Sequence, residues 1–441
     1  MDAFVAATRF GIGARPGQLA AIEQAGARKW LLAQLDGPDP AVTARLAAFP
    51  PASAGILRLA ELRAEDPAVR DAMKSDTRDA FVVEHAAHLE ASVVSSMPFR
   101  ERLVAFWSNV LSVSTERKEV TALAGAFERD VVRKGLDGAF GPMLLSSARH
   151  PAMLAYLDNA KSVGPDSMAG QRSGRGSNEN YARELLELHT LGVGAYAQAD
   201  VEALARLLTG WTVDVSRGSK PNGDADSGEF VYRAERHQPG AQTVAGVSYT
   251  DAEPALLDLA RHPATARHLA TRLARHFVAD DPPASAVDAL ARAWTRSGGN
   301  LPEVHRALVA LPDAWSAPLA KLKTPRDLVL STAAALHRDA TPVDGSVLLR
   351  SLKLLGQLPY RAPSPQGWPD RAESWIGPGA LWARLEWAAE VGKRVPDLSV
   401  PRLAEDVLGP ALTDATRAAL TDAPSGQALA LLISSPEFQR R

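Results

Sequence analysis

Apolar residues recur at spacings of three and four along most of this chain, and that rhythm restricts it to helices packed on helices. Leu57, Leu59, Leu62 and Val69 keep it, as do Leu103, Phe106, Trp107 and Val110. Each run places its large side chains on one stripe of a 3.6-residue helix. Alanine, leucine and arginine dominate the intervening positions. The expected fold class is therefore mainly α, a large multi-helix globular fold.

Four stretches interrupt the rhythm. Residues 162–177 are rich in glycine and read as a mobile loop. Residues 211–250 hold Gly/Asp/Asn clusters and β-leaning pieces at Val213–Val215, Phe230–Tyr232 and Thr243–Tyr249, which predict a small β excursion. Residues 280–285 form a short Pro-rich link. Residues 359–378 carry prolines, glycines, Trp368 and Trp375, an aromatic loop expected to be ordered because tryptophan gains from packing. A tentative division follows. Residues 1–160 form an N-terminal helical part, 161–250 the motif described next with the β excursion, and 251–441 a C-terminal helical part. One continuous domain fits equally well.

With 46% hydrophobic residues, a chain of 441 can bury a sizeable core. Its 49 basic and 51 acidic side chains nearly cancel, so no bulk nucleic-acid or anionic-membrane binding is expected. There is no cysteine, which excludes disulfides, thiolate metal sites and cysteine nucleophiles. No basic segment followed by a long apolar one opens the chain, and no run of about 18 apolar residues occurs. The expected compartment is the cytoplasm unless a partner exports the protein.

The stretch Asn178-Glu-Asn-Tyr-Ala-Arg-Glu-Leu-Leu-Glu-Leu-His-Thr-Leu-Gly192 is the densest set of functional side chains. Ser177 suits an N-cap and Gly192 a C-terminal stop. On a straight helix, Tyr181, Leu185, Leu186 and Leu188 share a broad apolar face with His189. Asn180, Arg183, Glu184 and Glu187 share the other face, with Glu179 at its edge. Glu184 and His189 then diverge by about 140°, so one helix does not hold a metal through both. Glu179, Arg183 and Glu187 form an ion-pair ladder at i, i+4 and i+8. Asp200 is expected to cap the next helix, with Arg206 placed to pair with a glutamate of the first.

Other constellations are weaker. His85 and His88 with Glu84 have metal-ligand spacing, but a solvated surface pair is the simpler reading. His268, Arg272 and His276 form a basic stripe. An ordinary polar face is favoured there, and an anion site is the sharper alternative. Trp211 and Trp368 read first as core anchors and second as walls of a pocket beside the 178–189 helix. The loop before Ser177 lacks the P-loop pattern.

Residues 178–193, followed by Tyr196, Gln198, Asp200-Val201, Ala205-Arg206 and Leu208-Thr-Gly-Trp-Thr212, resemble the signature of the bacterial family called domain of unknown function 1800. Further blocks agree: Arg9 to Gly17, Glu101-Arg-Leu-Val with Phe106-Trp-Ser-Asn109, His150 to Asn159, His262 to His268, and Gly356-Gln with Pro365-Gln-Gly-Trp368. The resemblance covers essentially the whole chain. It implies a largely helical protein that acts with an exported phosphatase- or sulfatase-like partner, and it implies no particular reaction. Two departures stand out. Val110-Leu111 follows Asn109 where the family has His-Phe, and His237-Gln-Pro-Gly-Ala-Gln242 replaces His-Asp-x-Gly-x-Lys.

Two functions are expected from this reading. The first is binding or assembly through a cleft lined by Glu179, Asn180, Arg183, Arg206, Trp211 and Trp368. The alternative is a metal-assisted hydrolase, in which Glu184 and Glu187 hold a divalent ion or act as base and His237 joins them from the β excursion. The missing family histidine and lysine favour the first.

Overall fold

A proline or a capping side chain starts most of the helices that matter here. A computed structural model of the chain describes residues 1–64, 66–214, 228–317, 319–338, 342–395 and 398–441. In it Asp66 caps the longest helix, α1 (Pro67–Val94), by accepting from the Ala68 amide, and Pro67 supplies a preset first turn. Pro98 opens α2 (Pro98–Val110), which buries Phe99, Leu103, Phe106 and Trp107 on the stripe that its periodicity marks. Val215 and the side chain of Leu62 lie outside the described residues.

The signature stretch forms α3 (Glu179–Glu184), which widens into a π turn over Leu185–His189. Next comes α4 (Gln198–Leu207). Two small antiparallel pairs make up the β excursion. Strand β1 (Trp211–Val213) pairs with β2 (Phe230–Tyr232), and β3 (Gln242–Val244) pairs with β4 (Val247–Tyr249), with Trp211 opposite Tyr232 and Gln242 opposite Tyr249. Then α5 (Pro263–Phe277) places Leu269, Leu273 and Phe277 wholly inside. α6 (Pro325–Leu336) and α7 (Pro378–Lys393) belong to the remaining helical part. The fold is mainly α, with these two short pairs as its only described strands.

One cluster of buried apolar residues runs from Phe4 to Phe438. Its aromatic centre joins Phe10, Phe99 and Phe277 from three distant parts of the chain, with ring centroids 5.6 to 6.1 Å apart. Such pairs contribute about 0.5–1.5 kcal/mol beyond their buried area. No helix among the described residues is long and apolar enough to cross a membrane.

Among the described residues three π turns occur, at Ala6–Phe10, Glu128–Arg133 and Leu185–His189. Each carries a buried polar side chain: Thr8 and Arg9 in the first, Glu128 in the second and His189 in the third. A π turn sacrifices the regular i→i+4 ladder, and such turns concentrate where a side chain needs a particular direction.

Candidate functional site

The outer face of α3 is a half-solvated hydrogen-bond network. Asn178, one residue later than the expected cap, accepts from the Asn180 amide at 2.9 Å and donates to the Leu157 carbonyl at 2.9 Å. Arg183 reaches Glu179 at 3.2 Å, and Gln198 joins both. The expected ladder stops there, because Glu187 instead accepts from the Tyr196 hydroxyl at 2.5 Å. Glu184 sits half-buried, and burial together with the Glu187 charge raises its carboxyl pKa. Asn180 is exposed. Arg206 lies 3.9 Å from Glu202 of its own helix and does not pair with α3. Asp200 falls inside α4. It accepts from the Ala197 amide at 2.8 Å, and its other oxygen pins the β3–β4 turn through the Ala245 amide.

Trp211 is buried in the core. Its ring meets Phe230 edge-on and lies under the Arg149 guanidinium. His237 directs one ring nitrogen to the Thr209 carbonyl at 2.9 Å and the other to the Thr250 carbonyl at 3.3 Å. A neutral ring donates to only one of these carbonyls, and among the described residues no hydrogen bond joins His237 to Glu184 or Glu187. Among the described residues, no group of three or more His, Asp or Glu is arranged to hold a metal ion. The departures from the family pattern have structural roles: Val110 is fully buried, and Gln238 is a buried clamp on the 162–177 loop. That loop contains a short helix, Met168–Ser173, capped by Ser167.

A second location draws together more of the recognised blocks. It lies between the end of the signature stretch, α5 and the aromatic loop. His268 on α5 donates from Nε2 to the Leu188 carbonyl at 3.1 Å. This close approach requires Gly192 (φ 88°), where a Cβ would fall 2.8 Å from the His268 ring. One turn further along α5, Arg272 reaches the Gln366 carbonyl at 3.3 Å. Another turn on, His276 bonds to Asp370 at 2.7 Å through Nδ1. The aromatic loop is gripped by Asn109, which accepts from the Trp368 amide at 2.7 Å and donates to its carbonyl at 2.8 Å. At Gly367 (φ 84°) any Cβ would collide with Asn109. Of the basic stripe of α5, His276 is buried and His268 and Arg272 are half-buried against the signature stretch and the aromatic loop, where spacing alone suggested a solvated face.

Unmatched polar atoms collect along this wall. Among the described residues neither nitrogen of His189 has a hydrogen-bond partner, although the residue is 1% exposed. The buried Nε2 of His276 and Nε1 of Trp368 are also unmatched. Burial, reinforced by the nearby Arg272 and His268, pushes the His189 pKa down to about 3, so its ring is neutral.

His85 and His88 prove to be buried, and the partners that cover them were invisible in sequence. His88 Nδ1 bonds to Glu128 at 2.7 Å, while His85 Nδ1 bonds to the Phe81 carbonyl at 2.7 Å. Arg133 holds Glu101 with two bonds of 2.8 Å and touches Glu128 at 2.9 Å. Glu84 pairs with Arg129. Only the i, i+4 spacing of Glu84 and His88 hinted at this cluster, since the remaining members are tens to hundreds of residues away.

The fold is thus a large helical one carrying a polar wall at the junction of α5, the signature stretch and the aromatic loop. A family model described as "Protein of unknown function (DUF1800)" matches residues 5–440, and the chain belongs to that family. No curated protein and no solved structure matches it.

Proposed function

We propose that this chain is a binding protein that works beside a phosphatase- or sulfatase-like partner. Its ligand sits at the α5 wall, near Arg272, His189 and Trp368, rather than on the outer face of α3. One observation carries this reading: a buried histidine with two unmatched nitrogens lies beside an arginine that, among the described residues, has no carboxylate in contact with it. An unmet buried polar group costs about 1–3 kcal/mol. A binding site tolerates that cost because the ligand removes it. The wall also joins parts of four blocks that carry the family resemblance: Asn109, His189, His268 and Trp368.

Hydrolysis by Glu184, Glu187 and a divalent ion has less support. Glu187 accepts from Tyr196, and the His237 ring nitrogens face the Thr209 and Thr250 carbonyls rather than either glutamate. The test combines size-exclusion chromatography of the chain with its phosphatase- or sulfatase-like partner and an assay of the chain alone on aryl phosphate and aryl sulfate esters. Co-elution without turnover is expected. Turnover that disappears in Glu184→Gln would replace the binding role with the hydrolase.

A further inference from the structure

The chemistry of the α5 wall narrows the ligand class, an inference that rests on the binding role proposed above. His268, Arg272 and His276 occupy successive turns of α5, and the two histidines each have a partner. Arg272 is bonded as well, but only to a neutral acceptor. Its hydrogen bond goes to the Gln366 carbonyl, and no carboxylate among the described residues lies in ion-pair contact with it. Asp370 is the acid that influences it, but that carboxylate is bonded to His276. Arg275 adds a second positive charge nearby.

Among the described residues, the unmatched groups along the wall are the two nitrogens of His189, the indole N–H of Trp368 and the Nε2 lone pair of His276, whose Nδ1–H goes to Asp370. A neutral imidazole offers one N–H and one lone pair, so His189 supplies at least one donor. An indole offers an N–H and nothing else. Trp368 is two residues beyond the Gln366 carbonyl that Arg272 touches, and its N–H is unmatched. A planar guanidinium with several N–H groups favours the oxygens of a phosphate, sulfate or carboxylate. A cationic ligand would meet Arg272 and Arg275 with like charge, and an apolar one would leave the donors unmet.

We infer that the ligand is a small oxyanion, of which phosphate and sulfate, free or as the terminal group of an ester, present more oxygens to several donors than a carboxylate does. Arg272 is its charged partner, and His189 and Trp368 donate to its oxygens. Asn109 is a positioning residue that fixes Trp368 through the backbone.

The inference is tested on the full chain by isothermal titration with inorganic phosphate, sulfate, methyl phosphate and methyl sulfate. Glucose and ethylammonium serve as neutral and cationic probes. Saturable binding of at least one oxyanion is expected. Binding should weaken at least about tenfold in Arg272→Gln, the loss of one charge-assisted contact, and less in Trp368→Phe, with circular dichroism unchanged. Equal affinity for free ion and ester identifies the ion as the ligand, and preference for the ester identifies a terminal group; either supports the inference. If Arg272→Gln does not fold, Arg272→Lys replaces it, and its weaker binding is the supporting result because lysine lacks the planar fork. Unchanged oxyanion binding in the arginine variant overturns the inference. Binding of glucose or ethylammonium, sensitive to Arg272 and without oxyanion binding, overturns the oxyanion class and leaves the binding role standing. No binding by any probe overturns the inference and removes the support for a ligand at this wall.

Discussion

The Tyr360 hydroxyl donates to Glu128 Oε2 at 2.7 Å, linking the start of the aromatic loop to a π turn 232 residues earlier. The other oxygen of Glu128 takes His88 and Arg133. Burial opposes ionisation of Glu128, but His88, Arg133 and Tyr360 outweigh it and hold its carboxyl pKa well below the usual range. The backbone of Tyr360 is left-handed, with φ at 53°, a conformation that a non-glycine residue keeps only when its surroundings fix it. Tyr360→Phe keeps the ring and removes the donor. The expected loss is about 1–3 kcal/mol in chemical denaturation, the cost of leaving a buried carboxylate oxygen unmatched. A change near zero would mean that Tyr360 does not hold the loop.

The buried histidines make stability depend on pH. Burial pushes His85 and His305 down to about 3, and His150 and His276 to about 4, from an ordinary 6.5. His305 has a further reason to remain neutral: its Nε2 accepts from the Trp107 indole at 3.1 Å. Below pH 6.5 the unfolded chain binds protons that the folded chain refuses, so stability falls as pH drops toward 4. Each such histidine contributes up to roughly 1.4 kcal/mol per pH unit in that window. Lys323 governs the opposite limb. Burial lowers it to about 7, with Asp327 opposing and Arg102 and Arg441 adding to the shift, while its ammonium rests on Ser331 and over the Phe438 ring. Its charging penalty is complete below pH 7 and fades as pH rises from 7 toward 10.5. Thermal melts should therefore show Tm falling steeply from pH 6 to 4.5. Lys323→Met should gain more stability at pH 6 than at pH 9. A Tm independent of pH below 6.5 would contradict the histidine account.

Charge pairs that look alike in sequence should differ sharply in importance. Glu101 is 1% exposed and held by both arms of Arg133, whereas Glu179 and Arg183 are each about two-fifths exposed. Breaking the buried pair leaves a guanidinium short of a partner, so Glu101→Gln should cost about 3 kcal/mol or more. Glu179→Gln should cost less than about 1 kcal/mol, because water and Gln198 take over. Urea denaturation of the two variants measures the difference directly.

That contrast also explains what was readable in the sequence. Helices follow from local spacing, so α2 and α5 bury the stripes their periodicity predicts, as with Phe106 and Leu273. The signature stretch was legible as a helix with His189 apart from the carboxylates, because burial of an apolar face follows from its own residues. Its widening into a π turn was not, since the cause lies in what surrounds it. Pairing across long separations was equally hidden. Nothing near His88 announces Glu128 or Tyr360, and nothing near Arg272 announces Gln366. A basic stripe on α5 looks the same on paper whether water or the aromatic loop covers it. Sequence reasoning therefore favoured the locally dense Glu179–Glu187 segment, while the unmatched atoms collect where distant elements meet.

Gln238 provides the last test, because the structure gives it a definite task. Its side-chain amide donates to Asp166 Oδ2 at 2.8 Å, and its carbonyl oxygen accepts from the Asp166 amide at 3.1 Å. Its own backbone amide donates to the Thr209 hydroxyl at 2.8 Å. The residue is 6% exposed, so water does not readily substitute for these contacts. Gln238→Asp removes the donor that faces Asp166 and places a second carboxylate nearby, with like charge and a shorter side chain. The expected cost is about 1–3 kcal/mol. Amide exchange should accelerate over residues 162–177 more than in α5. A double variant, Gln238→Asp with Asp166→Asn, removes the repulsion and restores a donor on the opposite side, so it should regain part of the loss. If the double variant is no more stable than Gln238→Asp alone, the clamp does not operate through Asp166.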